Sequence, residues 1–180
     1  NSENPEYIFF VHWSWKVEVG IINKYECLCF HMTDLPFGRG GTPLQNLIIK
    51  GFNKTKITAL KMIEDYDAGP FYLKRNLSLS GSAQTIYSRA GKIITSMITD
   101  IITKNLSLKV QKGDITYFKR RISDQSLLSK WEGNQSIFDF IRMLDADGYP
   151  RAFIEYKNMK IEFSSAKLKE GFVEAKVKIT

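Results

Sequence analysis

His12 and His31 are the two imidazoles in 180 residues, and His31 stands where chemistry is easiest to build. It closes the apolar run ECLCFH at 26–31 and is followed by the loop MTDLPFGRGG. A histidine at the end of a buried strand presents its ring at a sheet's ligand edge, where it titrates near neutrality and can move a proton. Gly38, Gly40 and Gly41 let backbone approach a ligand closely. Thr42-Pro43 reads as a hydroxyl N-cap with proline at the first helical position, so free N–H groups there favour an anion or a developing negative charge. Further along, EDYDAGP at 64–70 offers three carboxylates and a tight turn. Glu64 and Asp65 read as a solvated turn. Asp67, just before Ala68-Gly69-Pro70, is the carboxylate aimed most firmly by the backbone; it can hold a histidine ring or accept a proton from an attacking amine.

Cys27, Cys29 and His31 share one face of the strand, because side chains alternate with period two. A zinc site built on them needs a fourth ligand and its own geometry. A nucleophilic set Cys29–His31–Asp67 is a second reading, set against the inert thiol that an apolar strand ordinarily holds. A disulfide between residues i and i+2 of a strand would be severely distorted, so free thiols and a reducing compartment are expected. No metal is expected.

Lys and Arg exceed Asp and Glu by seven, and the pI is about 9.3. That balance favours anionic partners such as phosphorylated metabolites, nucleotides or RNA without choosing among them. The excess is spread out, and its densest run, Lys119-Arg120-Arg121, reads first as a solvated surface. A hydrophobic content of 43% with 25% charged residues fits a folded domain and argues against disorder. No apolar stretch reaches the length of a membrane span and no signal peptide is visible, so no membrane partner is expected and the cytoplasm is the expected location. The four N-x-S/T sequons, beginning at Asn53, Asn76, Asn105 and Asn134, then read as chance.

The elements that must position these groups follow from patterning. Residues 6–11 and 26–31 are short apolar runs that suit buried parallel strands, joined by a loop and a short crossover helix. A helix begins at Pro43, packs Leu44, Leu47 and Ile48, and stops at Gly51. Residues 56–63 alternate as a strand, and 71–79 form another. The apolar stripe Ile86, Ala90, Ile93, Ile94, Met97 and Ile101 predicts a long core helix over 82–103. A strand is expected over 114–120 and a helix over 136–150, closed by Gly148 and Pro150. The tail predicts a hairpin turning near Lys157-Asn158 and a last strand in FVEAKVKI. Strand–helix–strand early and hairpins late give an α/β sheet with a small C-terminal β appendage, divided as residues 1–148 and 149–180. Ligands of such sheets sit beyond the carboxyl ends of the strands, which places His12, His31 and the turn 65–69 on that rim.

These residues match a known family. FHMTDLPFGRGGTPLQ resembles the signature of formyltransferases that use N10-formyltetrahydrofolate: an Asn-x-His strand end, a Leu-Pro-x-x-Arg-Gly loop, then a proline-containing helix start. KITALKMIEDYDAGPFYL is similar to their second signature, in which a hydrophobic strand leads into an Asp-x-Gly turn. NPEYIFFVHWSW is similar to the strand and loop that help hold the folate, and IRMLDADGYPRAFIEY to the link into a C-terminal β unit. The resemblance implies a Rossmann-like formyltransferase sheet whose upstream strands are not in this sequence.

It also implies roles. His31 would polarise the formyl group and stabilise the tetrahedral oxyanion. Asp67 would orient His31 and help remove a proton from the acceptor amine. The stretch containing Val11, His12 and Trp13, with Asp65, Tyr66, Ala68 and Gly69, would hold the pterin. Arg39 and Gly40 would shape the loop. One departure stands out: the family's asparagine, two residues before the histidine, is Cys29 here, and a thiol is a poor donor to a formyl oxygen. Losing one oxyanion donor typically costs on the order of a hundredfold in rate.

Acceptors in the family include amino groups on nucleotide-linked sugars and the amino group of methionyl initiator tRNA. The short tail after Gly148 weights the expectation toward a small amine, an amino-sugar nucleotide, with initiator tRNA second. Competing classes are a cysteine-dependent hydrolase using Cys29, His31 and Asp67, a weakly catalytic folate-binding domain, and an RNA-binding module.

Overall fold

The computed structural model describes residues 4–128 and 131–180. The described residues divide into two compact units: Asn1–Pro43, Thr55–Leu77 and Ala90–Lys119 in the first, and Leu44–Lys54, Ser78–Arg89 and Arg120–Thr180 in the second. In the second unit the tail is grouped with residues 120–148 and with the two shorter stretches.

The first unit is organised by a four-stranded sheet of order β1-β2-β4-β5: β1 is Tyr7–Phe10, β2 Glu26–His31, β4 Lys54–Lys61 and β5 Phe71–Ser78. β1 and β2 run parallel, with Phe10 beside Cys29, and helix α1, Val19–Lys24, lies in the crossover between them. β2 and β4 run antiparallel, with His31 opposite Thr58 and Cys29 opposite Leu60. The two inner strands carry the core: Cys27, Leu28, Ile57, Ala59 and Leu60 have essentially no exposure. β4 therefore reads as a continuous buried run over 57–60 rather than the alternation expected of a half-exposed strand, because it is covered on both faces. β1, expected to be buried, is half-buried at the sheet's margin.

The chain after His31 does not continue as strand. Residues 32–38 turn, and β3, Arg39–Gly40, pairs in parallel with β6, Tyr117–Phe118. Only two residues of the strand expected over 114–120 pair, since their partner is itself two residues long. Thr42 adopts φ +46°, and its hydroxyl donates to the Lys119 carbonyl at 3.4 Å.

Helix α2, Pro43–Ile49, buries Leu44, Leu47 and Ile48, and Gly51 takes φ +78° two residues beyond it. Helix α3, Ala83–Thr103, buries Ile86, Ala90, Ile94, Met97 and Ile101 along one stripe, as its spacing predicts. At its start the Thr85 N–H donates to the Ser82 hydroxyl at 3.3 Å. In the second unit, helix α4, Asn134–Leu144, ends well before the expected stop at Gly148. Asp145 leaves helical geometry (φ −87°, ψ 77°), its Oδ1 receives the Arg151 guanidinium and its Oδ2 accepts the Ser165 N–H at 2.7 Å. The tail is an antiparallel three-stranded sheet: β7, Ala152–Tyr156, β8, Met159–Lys169, and β9, Phe172–Ile179. Among the described residues no helix is long and apolar enough to cross a membrane.

Candidate active site

Because β1 and β2 are parallel, their carboxyl ends leave the sheet at one edge, and His31 sits there with 9% of its surface exposed. Its Nε2 lies 2.7 Å from the Gly38 carbonyl. A carbonyl only accepts, so Nε2 carries the hydrogen and Nδ1 is left facing the other way. There it meets Asp67, whose Oδ1 is 3.5 Å from Nδ1. The second oxygen of the same carboxylate accepts the Gly40 N–H at 2.8 Å. Asp67 thus bridges the histidine and the glycine loop, and its side chain is only 16% exposed.

Both segments that make this contact are locally special. Asp67 has φ +53°, a region that non-glycine residues enter mainly where their surroundings hold them. Gly69 cannot be anything larger: a Cβ there would lie 1.9 Å from the Lys61 carbonyl oxygen. Gly40, at φ +98°, would place a Cβ 2.6 Å from the Phe118 carbonyl oxygen. Gly40 and Gly69 are therefore required by close backbone approach.

The loop 32–41 is fastened on several sides. The Thr58 hydroxyl donates to the Thr33 carbonyl at 2.7 Å, within the buried interior. Asp34 is gripped by Lys56 at 2.8 Å and Lys74 at 2.6 Å, and Lys74 also reaches the Leu35 carbonyl. Burial alone would raise the Asp34 carboxyl's pKa, but the bonds from the two lysines outweigh it and hold the pKa below the usual range. The Gly38 N–H donates to the Thr116 hydroxyl at 2.7 Å, and the Arg39 N–H to the Thr116 carbonyl at 2.9 Å.

Cys29 is half-buried on β2, two residues before His31. Desolvation first, and then the negative charge of Asp67, push its thiol well above the ordinary range. The group beside this histidine is therefore a neutral thiol, the opposite of what a cysteine nucleophile requires. Cys27 is fully buried, and its Sγ lies 3.7 Å from the Ile21 carbonyl. Both cysteines are free, and among the described residues no cluster of three or more His, Cys, Asp or Glu side chains is placed to hold a metal ion.

The other residues singled out by sequence lie further out. Val11, His12 and Trp13 are exposed just past the end of β1, where the Trp13 ring packs edge-on against Phe10 at 5.7 Å. Asp65 and Tyr66 are exposed on the turn, Ala68 is half-buried and Gly69 buried. Arg39, 8% exposed, donates from Nη2 to Gln111 Oε1 at 2.8 Å, while its buried Nε has no partner. Sequence reasoning missed Gln111. Its amide also donates to the carbonyls of Asp67 and Gly69, each at 2.8 Å. A lone glutamine in LKVQKG carries no motif, and only the fold brings it to the turn.

A family model described as the C-terminal domain of methionyl-tRNA formyltransferase matches residues 123–180. The methionyl-tRNA formyltransferase of Mycoplasma mycoides is 28% identical over 152 residues, covering 81% of this chain and 47% of the relative. Among solved structures, methionyl-tRNA formyltransferase from Clostridium thermocellum is 49% identical with a TM-score of 0.95, covering 98% of this chain and 78% of that one. The chain belongs to the methionyl-tRNA formyltransferase family. It spans about half the length of the curated relatives it matches. A 4-N formyltransferase from Francisella tularensis, 17% identical with a TM-score of 0.68 over 84% of this chain and 66% of its own, shares the fold. The expected α/β formyltransferase architecture is therefore borne out, and His31 and Asp67 lie outside the segment matched by the C-terminal family model.

Proposed function

We propose that the protein transfers a formyl group from N10-formyltetrahydrofolate to a primary amine, with His31 and Asp67 as the acting pair. The observation that carries this reading is the shared carboxylate of Asp67, one oxygen facing His31 Nδ1 and the other taking the Gly40 N–H. The acceptor nitrogen attacks the formyl carbon, and the carbonyl oxygen gains negative charge. The bond from that carbon to N10 then breaks, and tetrahydrofolate leaves as N10 takes up a proton. The proton lost by the amine passes to the His31–Asp67 pair. In the resting geometry the His31 Nε2–H is engaged by Gly38, so polarising the formyl oxygen means exchanging that bond for one to the substrate.

Residues 11–13, with Asp65, Tyr66, Ala68 and Gly69, are proposed to hold the pterin, an assignment supported by their place beyond the parallel strand ends and on the Asp67 turn. Arg39 and Gly40 shape the loop. Cys29, in the place of an oxyanion donor, contributes a weak S–H group and not a nucleophile. The site residues all fall in the first compact unit and within 1–148, which we assign to catalysis; 149–180 is assigned an accessory role, and the cytoplasm is the proposed location. The acceptor expected from sequence is an amino-sugar nucleotide. Methionyl initiator tRNA is the second reading, favoured by the name of the relative at 49% identity.

The test supplies N10-formyltetrahydrofolate and a panel of amines, with mass spectrometry identifying which amine gains a formyl group. His31→Ala and Asp67→Ala should each sharply lower transfer while folate binding survives. Full transfer by either variant would overturn the roles of this pair.

A further inference from the structure

The segment joining α3 to β6 is bonded at two points, to β5 and to the glycine loop. Lys109 exchanges two backbone hydrogen bonds with Phe71 at 2.8 and 2.9 Å, and Thr116 holds Gly38 and Arg39. Midway stands Gln111. Its Nε2 carries two hydrogens, and these meet the carbonyls of Asp67 and Gly69, both at 2.8 Å. Its Oε1 accepts from the buried Arg39 guanidinium at 2.8 Å. One uncharged side chain thereby holds the turn that presents Asp67 and the loop that contains Gly38 and Gly40.

We propose that Gln111 is a positioning residue for the His31–Asp67 pair. This inference rests on the assignment of that pair to formyl transfer. Asp67 occupies a left-handed conformation that its own turn secures weakly: the Ala68 N–H reaches the Asp65 carbonyl at 3.4 Å. The two bonds from Gln111 fix the carbonyls of Asp67 and Gly69 from outside the turn. With the backbone so held, the Asp67 carboxylate spans His31 Nδ1 and the Gly40 N–H. The amide is chemically required. A carboxylate would set oxygen against two carbonyl oxygens, and an apolar side chain would leave two acceptors and the guanidinium unmet.

Gln111→Glu separates the two ends, because it retains an acceptor for Arg39 and loses both donors to the turn. The full-length protein is labelled with 15N in its histidines, and kcat, thermal midpoint and ring nitrogen signals are compared with wild type. A positioning role predicts a fall in kcat of ~10- to 100-fold, the usual scale of a misplaced reacting group, and a displaced His31 Nδ1 signal as the carboxylate leaves it. A merely structural role predicts a lowered midpoint with kcat and His31 signals unchanged, and that result overturns the proposal. Should Gln111→Glu not fold, Gln111→Met, which removes all three bonds, is judged by the same two readouts. If the wild-type protein formylates no amine, the proposed function fails, and the ring signals alone decide whether Gln111 holds Asp67 against His31.

Discussion

The centre around His31 and the sheet β7–β9 are held together in opposite ways. In the centre almost nothing is regular: Gly38, Gly40 and Asp67 have positive φ, and side chains of Asp67, Thr116 and Gln111 bond to backbone. In the sheet the order is a repeating ladder with one irregularity between Ser164 and Lys167, and large apolar side chains such as Phe172, Val177 and Ile179 stand half or more exposed. A ladder spreads its stability over many equivalent bonds, so single changes are absorbed. The centre concentrates its geometry in a few bonds that have no substitutes. The family model matching residues 123–180 takes in the ladder, whereas the proposed chemistry lies in the centre.

The sharpest break of this contrast is Asp67→Ala or His31→Ala, each expected to lower single-turnover formyl transfer by about 10²- to 10⁴-fold, the range for a positioned acid–base group. Circular dichroism should show the fold intact. Gly69→Ala comes next. Its new methyl carbon would collide with the Lys61 carbonyl, and forced overpacking costs ~1–3 kcal/mol, read as a lower midpoint in urea. Thr116→Val removes the acceptor for the Gly38 N–H and should cost about 1 kcal/mol in the same titration. Wild-type midpoints after both would mean that the centre is as tolerant as the ladder.

Cys29 gives a smaller, pH-dependent effect. Its thiol pKa is raised in the folded chain, so above about pH 8.5, the ordinary thiol value, the unfolded chain releases a proton that the folded chain keeps. The Cys29 contribution to stability is therefore complete below that pH and is lost as pH rises through the folded pKa. Iodoacetamide should label Cys29 far more slowly in folded than in urea-unfolded protein at pH 8; equal rates would mean the thiol is not held neutral. The smallest effect belongs to the ladder: Val177→Thr, on an exposed position of β9, should stay within ~0.5 kcal/mol.

Much of this was legible in the sequence, for reasons that differ by region. β2 and α3 were readable to within a residue because burial imposes period and composition on them. The hairpin at Lys157-Asn158 was readable because a turn punctuates alternating strands, and Lys157 indeed takes φ +54°. His31 and Asp67 stood out because their glycine-rich neighbours have conformational requirements that sequence exposes. The end of α4 was misjudged because the early stop coincides with Asp145 taking on Arg151 and the Ser165 N–H, partners that lie beyond the helix in the chain. The brevity of β6 was hidden because strand length depends on the partner, which is a two-residue β3. Gln111 was invisible for the same reason: its three partners are remote in sequence.

The burial of His31 between the Gly38 carbonyl and Asp67 also governs how the protein meets a chemical reagent. Acylating agents that modify histidine are attacked by an accessible ring nitrogen bearing a lone pair. His31 is 9% exposed, with its Nε2 hydrogen donated to Gly38 and its Nδ1 turned toward Asp67, whereas His12 lies at an exposed position beyond β1. Treatment with diethyl pyrocarbonate would therefore derivatise His12 first. Any early loss of activity in such an experiment would report on the exposed rim after β1, and His31 would yield only as the glycine loop opened.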